Sequence, residues 1–213
     1  MTEAKEQTVN AIKSFAQQPD VVGKPQLQGA NLSDKNFSGH DLRGADLRGK
    51  RLVRTSFQNA DLREADFRDT DCTSACFDGA DLTGALLDNA KLHEASLREA
   101  IMRDSKFDKT DFTLADLREA DMSGSEFSFV GFNGANLTAA KLNRTTMYFP
   151  RMRNSILRDS DLTDAALERP VLRGADLRGA KLAGTSVTNA DTRNANYDYQ
   201  HTALLTNVSR VKE

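Results

Sequence analysis

Residues 44–48 read Gly-Ala-Asp-Leu-Arg, and close copies of this five-residue unit stand at residues 59–63 and 174–178. Stepping by five from Leu27 to Tyr197 samples 35 positions without an insertion or a deletion, and these hold 19 Leu, 8 Phe and 4 Met. Two residues before these centres stands an Ala in 19 cases and a Ser or Thr in 9 cases. The chain is therefore an uninterrupted array of five-residue units, and this self-similarity decides the fold class.

A period of five matches neither the 3.6-residue turn of an α-helix nor the two-residue alternation of a β-strand. A square coil does return one side chain to its axis every five residues, if each unit forms one side and one turn. Inward Leu and Phe then form a single column, small residues fill the corners, and Gly, Asn and Asp suit the turns. The pattern predicts an all-β solenoid of about nine coils, roughly 42 Å long at about 4.8 Å per coil.

The repeated unit resembles the motif Ala-(Asp/Asn)-Leu-x-x of the pentapeptide-repeat family, over about residues 25–199. The resemblance implies a right-handed quadrilateral parallel β-helix. Such a fold hosts many functions, so the resemblance is specific for the fold and poorly specific for the function. We expect inward-pointing centres throughout the array, among them Leu47, Leu62, Phe67, Leu82, Leu97, Phe112, Leu117, Phe132, Leu137, Leu162 and Leu177.

Both ends of the array adjoin segments that fit short helical caps, which a solenoid needs because its end coils expose core and strand edges. Residues 1–24 have apolar side chains at helical spacing, which predicts a capping helix and a linker before the β-helix of residues 25–199. Residues 200–213 carry Leu204 and Leu205 in a short amphipathic pattern. This segment fits a cap within a monomer or, as the family resemblance implies for some members, the interface of a C-terminal-end homodimer.

The composition argues against several classes of function. With 29 basic and 31 acidic residues the net charge is -2, so bulk charge favours neither nucleic-acid binding nor acidic mimicry. No apolar run has the length of a signal-peptide core or a membrane span, which predicts a cytoplasmic protein and leaves signal-independent export open. Cys72 and Cys76 are the only cysteines, too few for a disulfide framework.

The sequence offers no set of residues that would carry a reaction. Its three histidines, His40, His93 and His201, fall in different repeat registers, so they cannot gather around one metal or nucleophile. Aspartates 20 or 40 residues apart stack in one predicted column, and neighbouring arginines offset their charge. These residues are Asp41, Asp61, Asp81, Asp121 and Asp161, with Arg43, Arg63 and Arg103. We expect a non-enzymatic protein with no cofactor and no metal site.

One corner of the predicted coil departs from the polar surface pattern, and we call it the corner patch. Its apolar members are Phe129, Val130, Tyr148, Phe149, Pro150 and Pro170, and its rim is Arg151, Arg153, Arg169 and Arg173. Exposed aromatic and arginine side chains dominate the energetics of protein interfaces. The pattern favours a protein-binding site, with the alternative that these residues only pack on one another or that the prolines only rigidify the corner.

Two functions fit these observations. The first is a protein-interaction scaffold that presents a rigid β-helical surface to a macromolecular partner, in the manner of a bacterial adaptor or effector. The second is implied by a resemblance in architecture to quinolone-resistance members of the family, which mimic DNA, bind DNA gyrase or topoisomerase and confer resistance to quinolones or gyrase toxins. A DNA mimic needs a continuous acidic surface, whereas aspartate columns here alternate with Arg and Lys. We expect a protein partner and no direct binding of nucleic acid.

Overall fold

The computed structural model describes residues 31–201 and 204–205, and in them the chain winds as a four-sided parallel β-helix. Every bridge between described residues joins a residue to the one 20 positions later, from Asn31↔Arg51 to Asp176↔Asn196. A uniform offset of 20 means that each coil contains four five-residue sides and no insertion. The predicted all-β, right-handed quadrilateral parallel β-helix is confirmed.

One side of the coil forms a continuous five-stranded parallel sheet, and we call it the sheet side. Its strands are β1 (Lys106–Asp108), β2 (Glu126–Ser128), β3 (Thr146–Tyr148), β4 (Ala166–Glu168) and β5 (Ser186–Thr188), in the spatial order β1-β2-β3-β4-β5. Successive strands belong to successive coils and are in register, with Phe127 opposite both Phe107 and Met147. A 3-10 helix, Tyr199–His201, follows the last strand.

Backbone hydrogen bonds tie each coil to its neighbours and close its turns. The Leu62 N–H donates to the carbonyl of Asp81 in the next coil at 2.7 Å, and the Asp61 N–H donates to the carbonyl of His40 in the preceding coil at 2.9 Å. The Ala65 N–H closes the turn by donating to the carbonyl of Leu62 at 3.0 Å. Because the same three kinds of bond recur from coil to coil, each coil depends mainly on its two neighbours.

The corner that follows the sheet side closes differently from the others. In the early coils the N–H groups of Lys50 and Thr70 donate to the carbonyl three residues before, at 3.1 and 3.2 Å. From β1 onward the described residues form no such bond at this corner, which bends without a hydrogen-bonded turn. Proline has no N–H to donate, so this corner accepts Pro150 and Pro170 without losing a hydrogen bond.

The inward centres form one continuous core along the rod. All the centres named in the sequence analysis are buried, with at most 3% of their surface exposed. Phe107 and Phe127 stack with their ring centroids 4.8 Å apart, and Phe112 and Phe132 do so at 5.2 Å. Offset stacking of this kind adds to the stabilisation from area burial, so the aromatic centres reinforce the alignment of neighbouring coils.

The two ends of the rod are described to different extents. The predicted capping helix in residues 1–24 lies outside the described residues. At the other end Leu205 is buried, Leu204 packs beside it against the core, and the Thr192 hydroxyl donates a hydrogen bond to the carbonyl of Leu205 at 3.3 Å. These contacts fit a cap on the last coil, and a homodimer at this end stays a prediction. Within the described residues no helix has the length and apolarity to cross a membrane.

Replacing Leu117 with Asp tests the inward column. Leu117 is fully buried, so the new carboxylate would lie in the core without a partner, and we expect the free energy of unfolding in urea to fall by about 3–5 kcal/mol. Leu114→Asp is the matched control, because Leu114 is 52% exposed and a surface substitution usually changes stability by less than about 0.5 kcal/mol. Equal losses in the two variants would contradict the inward assignment.

Candidate protein interface

The aromatic part of the corner patch is a stack that runs along the rod. Phe129 and Phe149 occupy the same corner of successive coils, with ring centroids 5.1 Å apart and planes within 4° of parallel. In the next coil, the guanidinium carbon of Arg169 lies 5.5 Å from the centroid of the Phe149 ring. Ring stacking and a cation–π contact therefore hold these three side chains as one column on the surface.

This column is exposed, and its backbone is in an unfavourable conformation for aromatic residues. Phe129 is 49% exposed and the adjacent Tyr148 is 44% exposed. Phe129 and Phe149 have φ of 55° and 53°, in the left-handed region that disfavours bulky side chains. Among the described residues no other aromatic has a positive φ, and most equivalent corner positions hold Gly, Asn, Asp or Glu. Neither burial nor backbone conformation favours Phe at this corner. What the two Phe side chains add is accessible aromatic surface that another molecule can contact.

Three residues that the sequence analysis assigned to the surface of the corner patch are buried instead. Val130 has none of its surface exposed, and Pro150 and Pro170 are buried as well. Each stands two residues before an inward centre, at the position where the repeat normally has Ala, Ser or Thr. The expectation of an exposed apolar column at these three residues was wrong, although the phase of the repeat already marked them as inward. They support the corner from inside.

The arginine rim contains two kinds of side chain. Arg173 forms an ion pair with Asp191, at 2.5 Å between its Nε and the carboxylate. Arg151 and Arg153 are exposed and form no ion pair with any described residue, and neither does Arg169, whose guanidinium lies against the Phe149 ring. Arg151, Arg153 and Arg169 therefore lack a carboxylate partner in the described chain: Arg169 lies against Phe149, Arg151 follows Phe149 by two residues, and Arg153 lies on the adjoining side.

Elsewhere on the described surface, most arginines form ion pairs with aspartates two residues away in sequence or in an adjacent coil. Arg98 and Arg118 both reach Asp116 at 2.7 Å. Twelve of the described arginines pair with an aspartate in this way, and outside the corner patch only Arg51 and Arg144 lack such a partner. Exposed ion pairs contribute little stability, but they neutralise the positive charge of the paired arginines. The three unpaired arginines of the corner patch therefore concentrate positive charge in this part of the described surface.

The predicted aspartate column has the arginine partners that its sequence indicated. Arg43 contacts Asp41 at 2.9 Å, and Arg63 contacts Asp61 at 2.6 Å. No group of three or more His, Cys, Asp or Glu in the described part of the chain is placed to hold a metal ion. Burial raises the pKa of the Cys72 thiol to about 12, so it stays protonated at neutral pH. The absence of an enzymatic activity remains a prediction.

A four-sided β-helix with one buried centre every five residues defines the chain as a β-solenoid of five-residue repeats. The family model for pentapeptide repeats matches eight copies, in residues 26–58, 51–84, 65–104, 85–124, 120–159 and 160–196. The chain belongs to the pentapeptide repeat family. A search of curated protein sequences finds no match.

Solved structures similar to the chain include three pentapeptide repeat proteins. HetL of the cyanobacterium Nostoc sp. strain PCC 7120, involved in heterocyst differentiation regulation, is 27% identical, over 82% of this chain and 90% of its own, with a TM-score of 0.25. A protein of the Arabidopsis thaliana thylakoid lumen is 30% identical over 61% and 69%, with a TM-score of 0.30. The plasmid-mediated fluoroquinolone resistance protein QnrB1 is 16% identical over 83% and 97%, with a TM-score of 0.26. These TM-scores are low, so the family assignment depends on the repeat match.

The Arg–Asp ion pairs predict that the stability of the fold falls at low pH. A hydrogen bond from Arg118 holds the pKa of Asp116 at about 2, against burial that raises it, and Arg98 lowers it further. Because this pKa is lower in the folded than in the unfolded chain, the stabilisation from the carboxylate is complete above pH ~4 and is lost as the pH falls toward about 2. We expect Arg118→Gln to raise the pKa of Asp116 toward its ordinary value in a carboxyl-carbon NMR titration.

Arg144→Gln is the control for this titration, because Arg144 forms no ion pair with a described residue. It should leave the pKa of Asp116 unchanged. If Asp116 titrated alike in the wild type and in the Arg118 variant, the hydrogen bond from Arg118 would not be the cause of the low pKa.

Proposed function

We propose that this chain is a non-enzymatic scaffold whose rigid β-helical surface binds a protein partner through the accessible part of the corner patch. We call this part the exposed corner. It comprises Phe129, Tyr148, Phe149, Arg151, Arg153 and Arg169. The observation that carries the proposal is the stacked column of Phe129, Phe149 and Arg169, which exposes aromatic surface at a position where the backbone disfavours aromatic residues.

The composition of the exposed corner supports contact with a protein. Aromatic and arginine side chains are enriched among the residues that dominate binding energy, and they act best where surrounding contacts exclude water. Stacking already fixes the rings of Phe129 and Phe149, so little side-chain freedom is lost on binding. The repeating backbone bonds likewise hold the corner in place before a partner arrives, which lowers the entropic cost of association.

The proposed setting is the cytoplasm, with the protein as a monomer or as a homodimer through its C-terminal end. Cys72 and Cys76 are both free thiols, which is typical of a reducing compartment. The apolar contacts of Leu205 with the core support a covered C-terminal end in either state. Light scattering of the full chain distinguishes the monomer from the homodimer.

The exposed corner predicts the effect of removing its anchors. Phe149→Ala combined with Arg153→Ala should leave the circular dichroism spectrum intact and weaken partner binding at least tenfold, roughly 1.4 kcal/mol or more. The measurement is quantitative affinity capture with the purified wild type and variant, followed by titration of each captured protein. Only a protein that the wild type retains and the variant loses supports the proposal.

The matched control is Ile156→Ala combined with Arg144→Ala. Ile156 is 37% exposed and Arg144 forms no ion pair in the described chain, so this pair removes similar groups at other positions of the rod. It should retain the partner. If both double variants retained every captured protein, the exposed corner would be a structural feature only.

DNA gyrase is a second partner to test, because the resemblance to quinolone-resistance members implies it. A mimic of duplex DNA has to offer an uninterrupted line of negative charge to a basic groove. Described aspartates such as Asp61, Asp116 and Asp176 instead form ion pairs with neighbouring arginines. These pairs favour a partner that does not recognise DNA.

We therefore expect the purified protein to leave gyrase supercoiling unchanged and to give no protection against a quinolone. The assay compares wild type, the Phe149/Arg153 double variant and no added protein. Inhibition of supercoiling by the wild type alone would place gyrase at the exposed corner. Inhibition by both proteins would indicate a gyrase contact on another part of the rod.

A further inference from the structure

A depression lies on the side of the coil that follows the sheet side, directly beyond the exposed corner. Its floor is Gly131, which aligns in its column with Asp111 in one neighbouring coil and Arg151 in the other. The depression has a volume of about 440 Å³, and we call it the glycine groove. Its principal lining residues besides Gly131 are Lys91, Lys109, Asp111, Thr113, Asn133 and Arg151.

The backbone conformation at Gly131 does not require glycine, because its φ lies outside the left-handed region. A Cβ at this position would lie 3.0 Å from Oδ1 of Asp111 and 3.5 Å from Oγ1 of Thr113. Every other residue of the same column in the described chain has a side chain, and Val171 shows that an apolar one is accommodated there. The missing side chain of Gly131 therefore opens the groove.

The groove presents more positive than negative charge. Lys91 and Arg151 are exposed and have no ion-pair partner among the described residues, while Lys109 lies 3.2 Å from the carboxylate of Asp108. Among the described residues that line the groove, Asp111 is the one carboxylate, and it accepts a hydrogen bond from the N–H of Thr113 at 3.0 Å. Two cations without partners around a small polar depression suit one or two carboxylate groups from outside.

Exposed apolar side chains stand at both corners of this side. Phe129 precedes Gly131 by two residues at one corner, and Leu114, 52% exposed, follows Thr113 at the other. A Cβ on Gly134 would lie only 2.7 Å from Cδ2 of Leu114, so the leucine side chain extends over the next coil. The side therefore offers a cationic centre between two apolar edges.

We propose that the glycine groove binds an acidic segment of the protein partner, with separate Glu or Asp side chains paired to Lys91 and to Arg151. Apolar residues next to these carboxylates contact Phe129 at one edge and Leu114 at the other. This inference depends on the proposed function, because it names the chemistry of the partner that docks at the exposed corner. It extends the interface from that corner onto the adjoining side.

A protein carboxylate fits these observations better than the phosphates of a nucleic acid. The groove is short and contains Asp111, and the columns around the rod carry many further aspartates. The chain as a whole has a net charge of -2, which repels a long polyanion. Recognition here is local, by a few charges over a single depression.

The test uses the full chain and the peptide acetyl-Glu-Leu-Glu-Phe-Glu-amide, with a matched peptide that has Gln in place of each Glu. Binding is followed by the amide shifts of Thr113, Gly131 and Arg151 in nitrogen–proton NMR spectra. We expect shifts with the Glu peptide at about 1 mM or below and at least about tenfold weaker binding of the Gln peptide. Equal binding of both peptides, or no shift at these amides, would overturn the inference.

Two variants test the groove: Gly131 lies outside the exposed corner, and Arg151 is shared by the two sites. Gly131→Val fills the depression without changing the charge, and Arg151→Gln removes a cation without filling it. Each should weaken binding of the Glu peptide at least about tenfold, whereas Arg144→Gln, which removes an unpaired cation elsewhere, should not. Wild-type binding by a folded Arg151 variant would overturn the inference even if the Gly131 variant failed to fold.

The outcomes for the two proposals are distinguishable. If the Phe149/Arg153 double variant retains every partner while the Gly131 and Arg151 variants lose the Glu peptide, the exposed corner fails and the groove stands. If the double variant loses its partner while those two variants bind the peptide like the wild type, the groove fails and the scaffold function stands. An equally charged oligothymidylate that shifts the same amides more strongly than the Glu peptide would overturn the groove as a protein site.

Discussion

Burial of one large side chain every five residues constrains the rest of this structure. Four such units make one coil, and the unbroken register gives the offset of 20 residues that every described bridge shows. Residues 20 apart therefore stack not only in the core, as Phe107 and Phe127 do, but also on the surface, as Phe129 and Phe149 do. Any single outward substitution gains or loses neighbours above and below it, so surface chemistry is organised in columns.

Column stacking also explains how a chain with 28% charged residues keeps a balanced surface. An arginine directly after an inward centre reaches the aspartate two residues before it, as Arg118 reaches Asp116, or an aspartate of the adjacent coil, as Arg98 reaches Asp116. Ion pairing leaves few arginines of the described chain without a carboxylate partner, and three of these belong to the exposed corner, where Arg169 lies against Phe149. Because backbone hydrogen bonds fix the positions of the coils, these arginines stay close to the exposed aromatic side chains.

The repeat phase predicted the fold and the core, because inward centres such as Leu117 are fixed by spacing alone. It predicted the surface less well. Val130 and Pro150 were interpreted as apolar surface residues of the corner patch, although their phase placed them inward, and the structure buries both. The non-hydrogen-bonded corner that tolerates Pro150 depends on backbone geometry that the five-residue period does not indicate. The missing side chain of Gly131 in its column is visible in the sequence. Which charged residues around the groove lack an ion-pair partner could be seen only in the structure.

The backbone conformation at the exposed corner shows that Phe129 and Phe149 are not the residues that stability alone favours there. A left-handed residue costs roughly 1–2 kcal/mol unless it is Gly or, to a lesser degree, Asn or Asp. Asn89 and Asn189 occupy the same column as Phe129 and Phe149, so the polar solution is available at this corner. Stacking between the two rings returns part of that cost, but only because both coils carry Phe. A pair that offsets only part of its own strain and stays accessible to solvent fits a surface selected for contact, because stability alone favours Asn throughout the column.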